Sequence, residues 1–254
     1  MCLEDPFMRH GFESYPKQFY LGVCHRGLHD AERSENSMKA FANAIEHNMA
    51  FELDVHLSKD GILFVCHDSD LLRMTGKAGH IEELTSKEIK EGYRLHDGGE
   101  IPTLQEVLDL NQEKVLIVVE LKVVNKNYNE VADAAKEILA QIKDPSKIAI
   151  ICFDPRCLKR FGKSRFERQL LMLKKKDWVR IFRNQFESID LEITQVKDKW
   201  VQRYRRHGGI VNCWTVETLE QLRDVSPYVD AVTFQHIPVE EVIKDREEYL
   251  KKRG

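Results

Sequence analysis

The chain alternates short apolar, β-rich runs with amphipathic stretches along most of its length. Eight runs read as strands: YLGVCH (20–25), AFELDVHL (50–57), VLIVVELK (115–122), KIAIICF (147–153), QLLML (169–173), IDLEIT (189–194), GIVNCWTV (209–216) and VDAVTF (229–234). Helical spacing appears between most of them. In ENSMKAFANAIEHN (35–48) the apolar positions Met38, Phe41, Ala42 and Ile45 recur on one helical face. TLQEVLDLNQ, EVADAAKEILAQI, PRCLKRFG, VETLEQLRDV and PVEEVIKDREEYL read the same way. Eight strands, each followed by a helix, in 254 residues predict an α/β fold, a parallel (β/α)8 TIM barrel. A flat doubly wound sheet is the alternative.

One piece breaks the alternation. After FELDVHLS comes KDG and then ILFVCHD (62–68). So short a loop with Asp-Gly predicts a hairpin, whose second strand runs antiparallel to the first. A parallel barrel strand cannot do that. Residues 57–102 are therefore expected to form an excursion above the barrel mouth. It carries the hairpin, the segment LLRMTGKAGHIEELTSKEIKEG and the turn GGEIPT. No stretch reads as a linker, a repeat or a low-complexity segment, so residues 1–254 are expected to form one domain.

Composition narrows the partners. Apolar residues make up 42% and charged residues 32%, enough for a sizeable core and a well solvated surface. A net charge of -3 argues against nucleic acid, which calls for a basic face. The opening MCLEDPFMRHGFESYPKQ has neither the basic nor the apolar region of a signal peptide. No run of 18 apolar residues predicts a membrane span. None of the six cysteines, Cys2, Cys24, Cys66, Cys152, Cys157 and Cys213, forms a CxxC pair, and four sit in apolar strand-like runs. A cytoplasmic protein with reduced, buried thiols is expected.

In a parallel barrel the chemistry gathers at the C-terminal ends of the strands. Strand 1 ends in His25-Arg26-Gly27, strand 2 holds Glu52 and Asp54, and strand 3 ends in Glu120 and Lys122. A spacing of two puts each pair on one face of its strand. The hairpin ends in His67-Asp68, and Trp214-Thr215 closes the seventh strand. Three carboxylates converging near the axis are costly to bury without compensation. One divalent cation held by Glu52, Asp54 and Glu120 would remove that cost, and an all-oxygen set suits Mg²⁺ or Ca²⁺ over zinc. A structural ion network with Lys122 and Arg26 would remove it too, and spacing alone leaves the two open. His25 and His67 beside these carboxylates suit acid–base chemistry near neutral pH. Arg26 and Lys122 suit a phosphate, whose extra transition-state charge they would stabilise together with a metal.

HRG, ENSMKAFANA, ELDVHLSKDGILFVCHD, LLRMTG, IPTLQEVL, ELK, FD and WTV occur in that order. Together they resemble the glycerophosphodiester phosphodiesterase family, within the wider group of phosphatidylinositol phospholipase C-like barrels. The resemblance runs from about residue 20 to 240. It implies a TIM-barrel enzyme that hydrolyses glycerophosphodiesters, such as glycerophosphocholine, to sn-glycerol 3-phosphate and an alcohol. By match to the motif, Glu52, Asp54 and Glu120 would hold the divalent ion, His25 and His67 would be general acid and base, and Arg26 and Lys122 would contact phosphate. In the family the substrate's own glycerol hydroxyl or water attacks the phosphorus. Gly27 would let the backbone turn beside the ligand, Glu35-Asn36 would begin the first helix as capping and supporting residues, and Asp68 would orient His67. Trp214 would offer an apolar wall to the glycerol carbons or simply pack at the rim.

Two departures stand out. Ser34 replaces the proline that many members place before the Glu-Asn pair, and Phe234 stands where many have an aspartate, within TFQHIP (233–238). The missing polar contact is expected from Gln235 or His236. The stretch KRFGKSRFERQLLMLKKK (159–176) is locally basic, suited to steering an anionic substrate, touching a membrane surface or simply solvation. His29, His47, His56, His80, His96 and His207 have no partner legible in the sequence. Two other functions fit the same scaffold: a lysophospholipase D-like or phosphatidylinositol-type phosphodiesterase, and a non-catalytic phosphodiester-binding protein.

Overall fold

The structure is a computed structural model, and it describes residues 15–162 and 165–253. The opening segment examined for a signal peptide falls mostly in residues 1–14, which with Cys2 lie outside the described residues.

Among the described residues there are nine strands: β1 (Val23–Cys24), β2 (Ala50–Leu57), β3 (Leu63–Val65), β4 (Ile117–Leu121), β5 (Ile148–Cys152), β6 (Glu167–Met172), β7 (Ser188–Glu192), β8 (Ile210–Val216) and β9 (Ala231–Phe234). All except β3 pair in parallel, in the order β1-β9-β8-β7-β6-β5-β4-β2. β1 also pairs with β2, through Val23 opposite Ala50 and Cys24 opposite Phe51. That pairing closes the barrel and excludes the flat doubly wound sheet. The strands read as apolar runs because both faces are covered, one by the barrel interior and one by helices.

Those helices are amphipathic for the same reason. α1 is Lys17–Leu21, α2 Met38–Glu46, α3 Leu72–Thr75, α4 Ser86–Gly92, α5 Leu104–Asn111, α6 Tyr128–Leu139, α7 Pro155–Arg160, α8 Lys199–Arg206, α9 Leu219–Val225 and α10 Val239–Arg253. Local chemistry sets several boundaries. Thr103 begins α5 with a capping box: its side chain accepts from the Glu106 amide, and the Glu106 carboxylate accepts in return. α2 is shorter than its periodicity suggests. Ser37, not the Glu35-Asn36 pair, caps it by accepting from the Ala40 amide, which leaves Glu35 and Asn36 free to turn toward the mouth.

The first strand also differs from expectation. Tyr20 and Leu21 belong to α1, and β1 holds only two residues. Pro16 opens α1, and Gly22, at φ +130°, ends it. Phe19 and Tyr20 thereby pack with Val23, Ala50, Leu116 and Ala149 into a separate apolar cluster.

The excursion is as expected. β3 runs antiparallel to β2, with Val55 opposite Val65. Together with α3, a short 3₁₀ turn (Ile81–Glu83) and α4 it builds its own small core of Phe64, Leu71, Ile81, Ile89 and Ile101. Cys24, Cys66, Cys152, Cys157 and Cys213 are buried and unbridged. Among the described residues no helix is long and apolar enough to cross a membrane.

Candidate active site

The mouth of the barrel gathers its charges by strand register. Asp54 of β2 stands opposite Glu120 of β4, and Glu52 points the same way two residues earlier. One carboxylate oxygen from each of Glu52, Asp54 and Glu120 lies within 4.8 Å of the others, and all three residues are buried. Lys122 extends from the end of β4 and places its Nζ 2.7 Å from both Asp54 Oδ1 and Glu120 Oε1. The Arg26 amide donates to Glu52 Oε2 at 3.0 Å, its Nη1 donates to Glu35 Oε1 at 2.8 Å, and its Nε lies 3.6 Å from Asp54 Oδ2. Asn36 Nδ2 donates to the same Asp54 oxygen at 2.8 Å.

The turn that presents these groups is a left-handed one. Arg26 has φ +56° and Gly27 φ +82°. A Cβ at Gly27 would come within 2.9 Å of the Ala40 Cβ on α2, so glycine is required there for space as well as for conformation.

The three carboxyls are not equivalent. Burial raises Asp54, but Lys122, His67 and Arg26 outweigh it and hold the group well below the usual carboxylate range. Burial also raises Glu52, and repulsion from Asp54 and Glu120 adds to it, so the group ends well above its usual value. Glu120 is pushed up to about 7, by burial first and by Asp54, against the pull of Lys122. The cluster therefore holds more acid than its two cations neutralise. A hard divalent cation fits that deficit and the all-oxygen donor set. The ion network expected as the alternative is present, in the contacts of Lys122 and Arg26 with these carboxylates.

Both histidines reach this mouth, and each has its Nδ1 tied back. Gln235 Nε2 donates to Glu217 Oε1 at 2.6 Å, which orients the amide so that its oxygen faces His25. His25 Nδ1 donates to that oxygen at 2.6 Å. His67 Nδ1 donates to Asp68 Oδ1 at 2.7 Å. Asp68 in turn accepts from Arg73 Nε at 2.5 Å, and Arg73 Nη2 donates to Glu35 at 2.7 Å. Arg73 and Glu35 so connect the second histidine to Arg26. In both imidazoles Nε2 is left as the group able to exchange a proton. Burial, helped by Arg26, lowers His25 to about 4. Burial, with Lys122 and Arg26, also lowers His67, against Asp54 and Asp68.

Several of these side chains open onto a cavity of about 210 Å³. His25, Arg26, Glu52, His67, Glu120 and Lys122 line it together with Ile151, Phe153, Leu171, Leu173 and Trp214. Trp214 meets Phe153 edge-to-face, with ring centroids 5.8 Å apart. The lining thus combines charged and apolar side chains.

Several residues were missed or open in the sequence. Phe234 is buried at the end of β9 and its ring packs against Gly22, so the polar contact comes from Gln235, one residue on. Ser34 exchanges hydrogen bonds with Asp97, at 3.3 Å each way, and so ties the first loop to the excursion. His56 is not unpartnered: its Nδ1 lies 2.6 Å from Glu82 Oε1 and its Nε2 3.1 Å from the His67 carbonyl. His29 stands edge-to-face with His236, ring centroids 5.5 Å apart. Asp190 of β7 lines the cavity, 1% exposed, and burial with help from Glu120 pushes it up to about 8. Its only sequence signal was an acidic position, two residues before Glu192, in the run SIDLE.

Residues 25–248 match the model of the Glycerophosphoryl diester phosphodiesterase family. The chain belongs to this family. Its members are phosphoric diester hydrolases acting on glycerophosphodiesters, and the chain is assigned with them. A glycerophosphodiester phosphodiesterase of Bacillus altitudinis is 33% identical over 55% of this chain and 60% of its own length. One of Caldanaerobacter subterraneus subsp. tengcongensis is 27% identical over 84% of this chain and 92% of its own. The crystal structure of a glycerophosphodiester phosphodiesterase from Thermotoga maritima superposes with a TM-score of 0.71, at 28% identity, covering 92% of this chain and 98% of that one. The TIM barrel of this family is thus the fold seen here.

Proposed function

We propose that this member of the glycerophosphodiester phosphodiesterase family splits its substrate into sn-glycerol 3-phosphate and an alcohol, with His25 and His67 as the proton-transfer pair and the whole chain acting as one domain. The observation that carries the reading is the pairing of two histidines, each with Nδ1 anchored, beside a buried three-carboxylate cluster in one cavity. A cytoplasmic location fits a water-soluble substrate of this class.

Glu52, Asp54 and Glu120 would hold one divalent ion, Mg²⁺ or Ca²⁺. When bound, that ion supplies positive charge to the phosphoryl oxygens. The chain's own residues do the rest. Arg26 and Lys122 add fixed positive charge beside the phosphate, strongest where a buried site excludes water. One histidine takes the proton of the attacking hydroxyl at Nε2, and the other gives a proton to the leaving alkoxide. Gln235 and Asp68 hold the Nδ1–H of both rings, so the histidine that takes the proton is neutral with Nε2 free, and the one that gives a proton is the imidazolium. The apolar wall of Phe153, Leu171 and Trp214 faces the carbon skeleton of the substrate.

The test is release of glycerol 3-phosphate from glycerophosphocholine and glycerophosphoethanolamine, with Mg²⁺, with Ca²⁺ and with chelator. The expected outcome is metal-dependent release that chelator abolishes. His25→Ala and His67→Ala should each lower kcat about 10²–10⁴-fold. Folded variants with unaltered turnover would instead leave a phosphodiester-binding protein.

A further inference from the structure

Few large apolar side chains are exposed among the described residues, and two of them share one short segment. Trp178 is 63% and Ile181 67% exposed. Both lie in Lys174–Gln185, two 3₁₀ pieces that meet at a kink at Lys176, on the piece after the kink; the segment follows β6 and so stands at the mouth end of the barrel. In a 3₁₀ helix residues three apart eclipse each other, so Trp178 and Ile181 present one apolar face. Their neighbours Val179 and Phe182 pack inward against the barrel core. Lys159 Nζ, 4.7 Å from the Phe182 ring centre, and the Arg180 guanidinium, 5.5 Å from that of Trp200, hold the segment to the barrel.

The charge around that face is mostly positive. Residues 174–185 hold three lysines and two arginines against a single aspartate, within a chain whose net charge is -3. Lys174, Lys175 and Lys176 are exposed immediately before Trp178. A groove of about 760 Å³ runs from this segment to the catalytic mouth. Val123, Val124, Phe153, Pro155, Trp178 and Phe182 form its apolar lining, and it ends at Glu120 and Lys122. An outward aromatic and aliphatic pair flanked by lysines is the composition that settles at a bilayer interface, the rings in the headgroup layer and the ammonium groups on anionic lipids. A merely solvated face would not set Trp178 and Ile181 side by side at the end of a groove that opens into the site.

We propose that Lys174–Gln185 is a docking element that seats the barrel mouth on an anionic bilayer surface. Trp178 and Ile181 enter the headgroup layer and Lys174, Lys175 and Lys176 face the anionic lipids. The apolar groove then connects that surface with the phosphodiester site, so this hydrolase works beside a membrane without spanning it.

The experiment is co-sedimentation of the full chain with phosphatidylcholine vesicles, with and without phosphatidylglycerol, alongside its tryptophan emission. The expected result is binding that requires phosphatidylglycerol, with a blue shift of the emission. Trp178→Ser/Ile181→Ser should abolish both, while hydrolysis of water-soluble glycerophosphocholine stays at the parent level. Lys174→Glu/Lys175→Glu/Lys176→Glu, which leaves the apolar face intact, should weaken binding on the order of a hundredfold. Binding by the parent to neither vesicle, equal binding to both, or parent-like binding by both variants would overturn the proposal. Vesicle binding is read without turnover, so these results stand apart from any failure of the hydrolysis assay.

Discussion

Two acidic regions share the barrel interior and meet opposite fates. At the mouth, Asp54 lies against Lys122 and Arg26 and stays ionised. On β7, Asp190 is equally buried, has no cation among the groups that shift it and holds its proton to about 8. Burial alone favours the neutral acid. What separates the two is a pair of cations, Arg26 and Lys122, delivered to Asp54 by the ends of β1 and β4; each acid has one amide neighbour, Asn36 for Asp54 and Asn212 for Asp190. Residue type and burial therefore do not set charge in this barrel; the neighbours do. Glu120, touched by Lys122 yet crowded by Asp54, falls between them at about 7.

The comparison is broken most severely at Lys122. Lys122→Met leaves Asp54 buried beside two other carboxyls with its closest cation gone. Unfolding by urea should show a loss of about 3–5 kcal/mol, the cost of stranding a buried charge. A stability within error of the parent would mean that Arg26 alone sustains Asp54.

Asn36→Ala removes one neutral donor and leaves both cations in place. The hydrogen bond at 2.8 Å runs to a charged oxygen, so a loss of about 1.5–3 kcal/mol is expected in the same measurement. Asp54 should remain ionised at neutral pH, which carboxyl carbon shifts in NMR would report.

Asp190→Asn sharpens the contrast from the other side, and its effect starts smallest. The folded pKa lies above the unfolded one, so the native state holds the extra proton. The parent's stability from this group is complete below about pH 4 and is lost as pH rises toward about 8. An asparagine mimics the neutral acid and does not titrate. The variant should therefore match the parent within about 1 kcal/mol at pH 4 and exceed it at pH 8. Parallel stability curves for parent and variant across that range would show that Asp190 is ionised in the fold.

The two proton-transfer candidates repeat the lesson with neutral and charged partners. His25 leans on an amide and His67 on a carboxylate, yet both tie down Nδ1 and leave Nε2 for exchange. The residue that completes His25 comes from the far end of the chain, 210 positions away. Phe234 ends β9 without a polar group, and Gln235, the next residue, supplies the contact to His25.

The linear sequence determined the strand count, the antiparallel hairpin and the grouping of HRG, ExD, HD and ExK at strand ends. Each of these is local: a period of two aims a side chain, a short Asp-Gly loop reverses a strand, and a parallel barrel gathers strand ends at one mouth. Only the tertiary structure decided where α2 begins, because Ser37 caps it once Asn36 is drawn to Asp54. It also decided how short β1 is, since Phe19 and Tyr20 are buried from α1 in the cluster with Val23 and Ala50. The bridge through Arg73 and Glu35, the role of Gln235 and the protonation of Asp190 belong there too. These depend on distances between residues far apart in sequence and on the dielectric of a closed barrel, and neither is encoded in any local pattern of apolar and polar positions.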